Sequence, residues 1–402
     1  MARAFKDGDF RSGYYRDQTF MMAIGAYTVE HFFAGIYAHT DINAEPTSAG
    51  RQMGGHFATH SLDEKGNWVD LLKQKNSSSD ISCTAGQMPR LLGLAQASKV
   101  YRELPELESK GFSNKGNEVA WGTIGNASAS EGHFFETINA AGVLQVPMIM
   151  SVWDDAYGIS VPAKYQTTKE SISEILSGFQ RTKNKKGYEI FVAKGWDYAT
   201  LYEIYQKAAK IARTEHVPVL VHVQELTQPQ GHSTSGSHER YKSKERLEWE
   251  REFDCNKKMR EWILANKYAT EAELTQIEEQ AKKRVMEGKK KAWEAYLTPL
   301  KKEQKELVNL FNELLPAIKN EQNKELVSQI AKSVKELTTL QRRSFLGAAR
   351  KALRHLLSEE NAVTAPLRKW VEAYIAENKP KYDRFVYTEG KKNCLDAKKV
   401  AP

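Results

Sequence analysis

Residues 125–162, "GNASASEGHFFETINAAGVLQVPMIMSVWDDAYGISVP", join a loop of small residues to a helical stretch, an apolar strand and two adjacent carboxylates. The glycines and alanines of the loop let the backbone approach a ligand closely. Ser128 and Glu131 have the spacing of a capping box, which predicts that a helix begins near Glu131. Amides at such a helix start favour an anion such as phosphate. The loop has neither the GxGxxG pattern of a dinucleotide site nor the Gly-Lys-Ser/Thr of a Walker loop, so by itself it is a weak signal.

Apolar runs on both sides of this loop predict a parallel sheet with crossover helices, and therefore an α/β domain. Amphipathic stretches between the runs begin near Glu131, near Glu170 and after Asp197, and we expect Asp197 to cap its helix. The predicted strands are "VAWGTIG" (119–125), "PMIMSVWD" (147–154), "YEIFVAKG" (188–195) and "VPVLVHVQEL" (217–226).

Asp154 and Asp155 close the second predicted strand. The carboxyl ends of parallel strands meet at one edge of a sheet, where ligands bind. We therefore expect oxygen ligands from this turn and from the loop at 125–128 to converge on a hard cation that also holds a phosphate, as magnesium usually does.

From about residue 257 the pattern changes to long helices. Thr270 and Glu273 form a second capping box, and apolar residues at helical spacing predict a stripe that packs on the α/β body: Leu326, Ile330, Val334 and Leu337. We predict an α/β domain at 1–256, a C-terminal helical extension at 257–380 and a linker or tail at 381–402. The Gly/Ser-rich segment 228–243 is predicted to be a mobile loop.

Composition and charge exclude several classes of protein. The chain has 402 residues, of which 41% are hydrophobic and 27% charged, which is typical of a globular protein. Its net charge of +8 arises from lysines that alternate with glutamates on the helical part, so we expect a solvated surface and no nucleic acid partner. Three widely spaced cysteines indicate neither a disulfide framework nor a zinc site. With no apolar run long enough to span a bilayer and no signal peptide, we expect a cytoplasmic protein without a membrane partner.

The motifs of the chain resemble those of a known family. The patterns G-N-A-(x3)-E-G, N-A-A-(x5)-P and D-D-A-Y-G-I-S-V-P resemble the thiamin-diphosphate motif in the alpha subunit of the 2-oxo acid dehydrogenase decarboxylase component. Further blocks resemble the family in the same order: "GYYRDQTF" (13–20), "GRQMGGHF" (50–57), "ISCTAGQMP" (81–89) and "GHSTSGSHERYKS" (231–243). The wording is nearest the branched-chain type, and in particular resembles bacterial forms in which alpha and beta halves are fused.

The resemblance implies a thiamin-diphosphate-binding fold, with thiamin diphosphate and Mg²⁺ as cofactors. It implies that Tyr15 and Arg16 hold the diphosphate. It also implies that the backbone amides of Gly125, Ala127 and Ser128 line the diphosphate. The implied metal ligands are Asn126, Asp155 and the backbone carbonyl of Tyr157. Asn126 stands where the family usually has an acidic ligand and Asp155 where it usually has asparagine, so one carboxylate and one carboxamide are retained. Ala127 replaces a usual glycine.

Three further residues fall in family blocks. His232 matches the histidine of the active-site loop, where a neutral imidazole exchanges a proton with the reacting group. A merely solvated loop histidine is the alternative reading. Ser82 lies in the block that shapes the cofactor pocket, although "SCTA" departs from the family's Ser-Pro-Leu wording. His56 either faces the substrate entrance or packs within its loop.

The resemblance implies oxidative decarboxylation of a branched-chain 2-oxo acid and acyl transfer to a lipoyl group. The implied partners are a beta subunit or beta half and a lipoyl acyltransferase component, in an oligomer. Alternatives are a pyruvate or acetoin dehydrogenase component, and a non-catalytic assembly protein that keeps the fold. No block resembling the beta subunit follows residue 390 and little precedes Tyr15. We therefore expect a fragment or a split subunit that is inactive alone.

Overall fold

The computed structural model describes residues 1–52, 56–63, 65–233 and 237–383. Its strands are Phe10–Ser12 (β1), Asn76–Ser77 (β2), Ala120–Gly125 (β3), Met148–Trp153 (β4), Tyr157–Gly158 (β5), Val161–Pro162 (β6), Glu189–Lys194 (β7) and Val219–Gln224 (β8). Its α-helices are Gln18–Ala23 (α1), Val29–Ile36 (α2), Gln87–Glu103 (α3), Gly132–Leu144 (α4), Ile172–Ile175 (α5), Tyr198–Glu215 (α6), Lys244–Glu252 (α7), Cys255–Ala265 (α8), Glu271–Leu314 (α9), Glu321–Lys335 (α10), Arg342–His355 (α11) and Asn361–Asp383 (α12).

A parallel sheet confirms the predicted α/β architecture. Its strand order is β2-β1-β3-β4-β8-β7, and every neighbouring pair is parallel. The four predicted strands are β3, β4, β7 and β8. Residues of β3, β4 and β8 are almost entirely buried, which explains their continuous apolar runs, since a parallel sheet is covered on both faces. Because β3 pairs with β4 and β4 with β8, the turns that follow these strands share one edge.

Three of the predicted helix starts are confirmed, the first because α4 begins at Gly132, next to the predicted Glu131. Asp197 accepts a hydrogen bond from the Thr200 amide at 3.0 Å and caps α6. Thr270 and Glu273 exchange the two bonds of a capping box, at 2.7 and 3.3 Å, at the start of α9. The helix expected near Glu170 is only the four-residue α5, with Ser171 as its cap.

The predicted capping box of Ser128 and Glu131 is wrong. Residues Ser128–Ser130 form a 3-10 turn, and α4 begins only at Gly132, after an extended Glu131 whose side chain makes no capping bond. The amides of Ala129 and Ser130 donate to carbonyls three residues back, at 3.2 and 3.1 Å. The chain therefore turns tightly straight after β3, and this turn satisfies amides that the prediction assigned to the helix start.

The chain divides into two compact units. The first contains Met1–Thr28 and Gly54–Lys283 and includes the whole six-stranded sheet. Its main apolar cluster lies where α3 and α4 cover β3 and β4, with Leu91, Phe134 and Ile138 packed around Ile124 and Met150. This cluster supports the strands from one face and so fixes the positions of the turns at their carboxyl ends.

The second unit contains Val29–Met53 and Arg284–Pro402 and has a helical core of its own. Phe311, Val327, Phe345 and Leu367, from α9 to α12, are fully buried in one cluster. Ile330 and Val334 of the predicted stripe belong to this cluster and Leu337 packs against it, whereas Val327 is the buried residue instead of Leu326. This corrects our expectation that the stripe packs on the α/β body. The stripe showed that one helix face is buried, and could not show against which partner.

The observed division differs from the predicted boundary between 256 and 257. Helix α8 and the beginning of α9 belong to the first unit, and the second unit includes α2. The boundary falls inside the continuous helix α9, so no change of composition marks it. The predicted linker or tail at 381–402 lies almost wholly outside the described residues. Within the described residues, every helix is too short or too polar to cross a membrane.

Candidate functional site

A cleft of about 910 Å³ opens in the first unit, where the turns after β3, β4 and β8 meet. Every predicted site residue lines it, and together they come from five separate stretches of chain: Tyr15, Arg16, Ser82, Gly125, Asn126, Ala127, Ser128, Asp155, Tyr157 and His232. The sheet brings these stretches together because parallel strands deliver their following turns to the same edge.

Arg16 connects two walls of the cleft. It lies in the 3-10 turn Tyr15–Asp17 between β1 and α1, and its Nη2 donates to the backbone carbonyl of His232 at 2.8 Å. The same Nη2 lies 3.2 and 3.3 Å from the ring nitrogens of His232. Its guanidinium carbon lies 5.4 Å from the centre of the Tyr15 ring. Arg16 therefore places a positive charge between the first turn and the loop after β8.

The surroundings of His232 favour its neutral form. Burial lowers the pKa of the imidazole, and the neighbouring charge of Arg16 lowers it further. A neutral imidazole has one nitrogen that donates and one that accepts a hydrogen bond, so it can both take and give a proton.

The loop after β3 offers backbone donors and an unsatisfied amide. Asn126 is buried, its backbone N–H donates to the carbonyl of Trp153 at 3.2 Å, and its side-chain nitrogen has no hydrogen-bond partner among the described residues. The turn uses the amides of Ala129, Ser130 and Glu131. Within the described chain, the amides of Ala127 and Ser128 make no backbone hydrogen bond and remain as donors.

The two adjacent aspartates have different roles. Asp154 accepts a bond from Nε2 of the fully buried His222 at 2.9 Å and one from the Ala156 amide at 2.7 Å. These bonds fix the turn in which Ala156 has a φ of 65°. Both of these bonds of Asp154 are made within the protein, so Asp154 stabilises the turn and positions Asp155.

Asp155 keeps its carboxylate for the cleft. It is 9% exposed, and its Oδ1 accepts a weak bond from the Tyr157 amide at 3.2 Å. Burial raises the pKa of this carboxyl to about 6, although the Tyr157 amide and the charges of Lys242 and Arg246 oppose the shift. A buried carboxylate with a raised pKa lacks sufficient positive charge nearby.

The donor set of the cleft fits a magnesium ion held jointly by protein and phosphate. Asn126 has an unpartnered side-chain nitrogen among the described residues, and Asp155 has a buried carboxyl with a raised pKa. Both side chains carry a hard oxygen of the kind that Mg²⁺ prefers, in Asn126 once the amide is oriented with its oxygen inward. The described residues contain no group of three or more His, Cys, Asp or Glu side chains suited to a metal ion. Such a site depends on ligands from a bound phosphate, which is usual for Mg²⁺.

Three charged residues that the sequence analysis did not identify lie beside the turn at Asp155 and Tyr157. Arg246 donates to the backbone carbonyl of Asp155 at 2.9 Å, and Nζ of Lys242 lies 5.1 Å from the centre of the Tyr157 ring. Both also pair with the buried carboxylate of Glu250. The i,i+4 spacing of Arg246 and Glu250 signals a helical ion pair, but not its contact with a distant turn.

Ser82 and His56 lie beside each other at the edge of the cleft. His56 Nε2 and the Ser82 hydroxyl are hydrogen bonded, and the His56 ring lies 6.4 Å from that of Tyr15. Ser82 and Tyr15 line the cleft, whereas His56 is not among the described residues that line it. The geometry is nearer to the packing role than to the entrance role for His56.

Residues 1–301 match the family model described as "Dehydrogenase E1 component". The chain belongs to the dehydrogenase E1 component family. The match covers the whole first unit, which confirms the resemblance found in the motifs.

Three relatives illustrate the range of the family. The chain is 26% identical over 251 residues to the 2-oxoisovalerate dehydrogenase subunit alpha of Bacillus subtilis, covering 62% of this chain and 64% of that protein. It is 28% identical over 179 residues to the pyruvate dehydrogenase E1 component subunit alpha of Rickettsia bellii, covering 44% and 51%. It is 24% identical over 303 residues to the mitochondrial counterpart of Dictyostelium discoideum, covering 75% and 68%. The chain spans about half to two thirds of the length of these curated relatives.

Proposed function

We propose that this chain is the alpha part of a 2-oxo acid dehydrogenase decarboxylase component, which binds thiamin diphosphate with Mg²⁺ in the cleft. The observation that carries the proposal is the convergence of ten separately predicted residues on one cavity at the carboxyl edge of the sheet. A chain that kept the fold without the site would have no reason to keep Arg16, Asp155 and His232 facing the same space.

One end of the cleft suits the diphosphate. The guanidinium of Arg16 and the amides of Ala127 and Ser128 are donors that match phosphate oxygens. Asn126, Asp155 and the backbone carbonyl of Tyr157 would hold Mg²⁺, and the metal would supply the charge that the buried carboxylate lacks. Gly125 precedes these donors and keeps the backbone free of a side chain at the point of approach.

The chemistry of decarboxylation belongs to the cofactor. When bound, thiamin diphosphate would supply the nucleophilic carbon and the electron sink for release of carbon dioxide. His232, held by Arg16 and neutral at physiological pH, would move a proton to or from the oxygen of the reacting carbonyl. The same imidazole would assist the later transfer of the acyl group to a lipoyl group.

For the substrate, the wording of the motifs favours a branched-chain 2-oxo acid. Relatives named for 2-oxoisovalerate and for pyruvate both match the chain, so pyruvate and acetoin dehydrogenation remain as alternatives. We propose a beta subunit or beta half as the partner that completes the site, a lipoyl acyltransferase as the acceptor component, and an oligomer as the assembled form. A non-catalytic assembly role is the rival that the experiments below distinguish from the proposal.

Activity tests the proposal directly. The chain should be assembled with the beta half of its own enzyme and supplied with thiamin diphosphate, Mg²⁺ and either a branched-chain 2-oxo acid or pyruvate. We expect carbon dioxide release, faster with the branched-chain substrate. Cofactor binding without turnover of any 2-oxo acid would favour the assembly role, and a failure to bind the cofactor would overturn the proposal.

Cys83 provides a test that does not depend on turnover. It is an exposed free thiol that lines the cleft, whereas Cys255 is partly buried and its pKa is raised by that burial. In the chain assembled with its beta half, we expect thiamin diphosphate with Mg²⁺ to slow alkylation of Cys83 and to leave the rate at Cys255 unchanged. Mass spectrometry of the two peptides measures both rates in one sample. Equal alkylation of Cys83 with and without cofactor would contradict a cofactor in this cleft.

A further inference from the structure

Beneath the Tyr15–Arg16 turn lies a buried ionic cluster that the proposed function does not use. We call it the Arg11 cluster, and it consists of Arg11 in β1, Asp17 at the end of the turn, Ser77 in β2, Asp80, and Thr123 in β3. The side chains of Arg11, Asp17 and Asp80 are fully buried. An arginine at the centre of a buried strand is unusual unless its charge is paired.

The guanidinium of Arg11 is fully engaged. It lies 2.7 Å from Asp17 Oδ2 and 2.9 Å from Asp80 Oδ1, and it donates to the Ser77 hydroxyl at 2.8 Å. It also donates to the backbone carbonyl of Tyr14 at 3.0 Å. These bonds use the planar fork of the guanidinium in a way that a lysine ammonium cannot reproduce.

Asp17 is fixed from a second direction by the sheet. The Thr123 hydroxyl donates to Asp17 Oδ2 at 2.6 Å, and Thr123 stands two positions before Gly125 in β3. The other oxygen of Asp17 has no hydrogen-bond partner among the described residues. Asp17 therefore links the turn that carries Arg16 to β3, the strand that leads into the loop at 125–128.

Asp80 fixes a third segment to the same centre. It accepts a bond from the Phe57 amide at 3.1 Å, and it precedes Ser82 and Cys83, which line the cleft. The amide of Ser78 donates to the carbonyl of Arg11 at 2.9 Å. The Arg11 cluster thus connects three segments that line the cleft, and it does so from behind, without itself facing the cavity.

We propose that Arg11, Asp17 and Thr123 are positioning residues for Arg16. Asp17 directly follows Arg16, and Tyr14 lies two residues before it. The bonds to the Asp17 side chain and to the Tyr14 carbonyl therefore fix the turn on both sides of Arg16. The turn's orientation then sets the direction in which the Arg16 guanidinium enters the cleft. The effect on cofactor binding rests on the proposed function, whereas the effect on the turn does not.

Thr123→Val tests the inference with little change in shape, because it removes only the hydroxyl that fixes Asp17. Thr137→Val is the matched control, since Thr137 is an equally buried threonine of α4 outside the cluster and outside the cleft. Thr123→Ser keeps the hydroxyl and should behave as the native chain. Hydrogen exchange of the ligand-free chain is compared among the variants, together with the affinity of the chain assembled with its beta half for thiamin diphosphate and Mg²⁺.

We expect Thr123→Val to exchange faster at residues 13–18 than either Thr137→Val or Thr123→Ser, and to bind the cofactor on the order of 10-fold more weakly. Exchange at 13–18 that is unchanged, or that is increased equally by Thr137→Val, would overturn the positioning role whether or not the cofactor binds. Faster exchange at 13–18 with unchanged cofactor affinity would also overturn it. If the native chain assembled with its beta half binds no cofactor, the proposed function fails, and the exchange data still decide whether the cluster fixes the turn.

Discussion

The surroundings of the Asp155 side chain disfavour its charged form. We therefore expect the ionised carboxylate to destabilise the ligand-free protein, although the proposed metal site uses it as a ligand. Its pKa is raised from 3.8 to about 6, mainly by burial. The folded protein therefore binds a proton more tightly than the unfolded chain does between these values. The free energy of unfolding therefore falls as the pH rises through this window, and above about pH 6 the whole destabilisation by the ionised carboxylate is present.

Asp155→Asn should accordingly stabilise the ligand-free protein. At pH 8 we expect a gain of up to about 3 kcal/mol in the free energy of unfolding, from a shift of about two pKa units. At pH 4 the gain should be small, because the native carboxyl is then protonated in the fold. Thermal unfolding at the two pH values measures the difference. Asp7→Asn, at an exposed residue paired with Lys75, is the control and should change little at either pH. A destabilised Asp155→Asn protein at pH 8 would contradict this account of Asp155.

The positions of the carboxylate and the carboxamide should be exchangeable. Asp155→Asn alone removes the only negative side chain of the proposed metal site and should weaken binding of Mg²⁺ with thiamin diphosphate at least 10-fold. The double change Asn126→Asp with Asp155→Asn restores one carboxylate beside one carboxamide. It should recover much of the affinity, as measured by titration of the cofactor at fixed Mg²⁺. A double variant that binds no better than the single one would show that the site is not exchanged.

The residues that line the cleft were easier to predict from the sequence than the residues behind them. All ten predicted positions came from the motifs, and all ten line the cleft. Arg11 and Asp17 left a weaker signal because they stand among other polar residues, and His222 because it is one polar residue within an apolar run. Only the fold shows that Arg11 meets Asp80, since their contact joins β1 to a segment about 70 positions later.

Among the elements, helix starts with an isolated capping residue follow local rules. Asp197 caps α6 by accepting the Thr200 amide at 3.0 Å. Asp197→Ala should lower the free energy of unfolding by about 1 kcal/mol, because it leaves that amide without its acceptor. Glu203→Ala, on the exposed face of the same helix, is the control and should change stability by less than about 0.5 kcal/mol. Chemical denaturation of both variants gives the comparison, and equal effects would show that the cap does not stabilise α6.

Strands were predicted well and the loop before α4 was not, for a physical reason. A buried parallel strand has to be apolar along its whole length, so β3, β4 and β8 are visible in the sequence. The capping-box pattern at Ser128 is compatible with either a helix or a 3-10 turn. In the fold the 3-10 turn forms because the Asn126 amide is hydrogen bonded to β4 and the Asn126 carbonyl accepts a bond from the Ala129 amide. That tertiary bond is not encoded in the local pattern.

For the molecule as a whole, the proposed function makes activity depend on a partner. In the proposed site this chain would supply the donors for the diphosphate and one histidine, whereas the family resemblance implies that the group activating the aminopyrimidine ring comes from the beta half. We expect the chain alone to release no carbon dioxide from any 2-oxo acid and to bind the cofactor weakly. Adding its beta half should raise affinity and turnover together. Turnover by the chain alone at the rate of the assembled enzyme would contradict a site shared with a partner.

The central claim is that thiamin diphosphate with Mg²⁺ binds in the cleft and is held there by Arg16. Calorimetric titration of the cofactor into the chain assembled with its beta half tests this most directly, with Arg16→Gln as the variant. Arg181→Gln is the matched control, because Arg181 pairs with Glu189 and Glu215 and does not line the cleft. We predict one cofactor per cleft in the native and control proteins, and an affinity lowered about 10- to 100-fold in Arg16→Gln, as the loss of a charged hydrogen bond implies. No binding to the native assembly, or equal affinity in all three proteins, would contradict the claim.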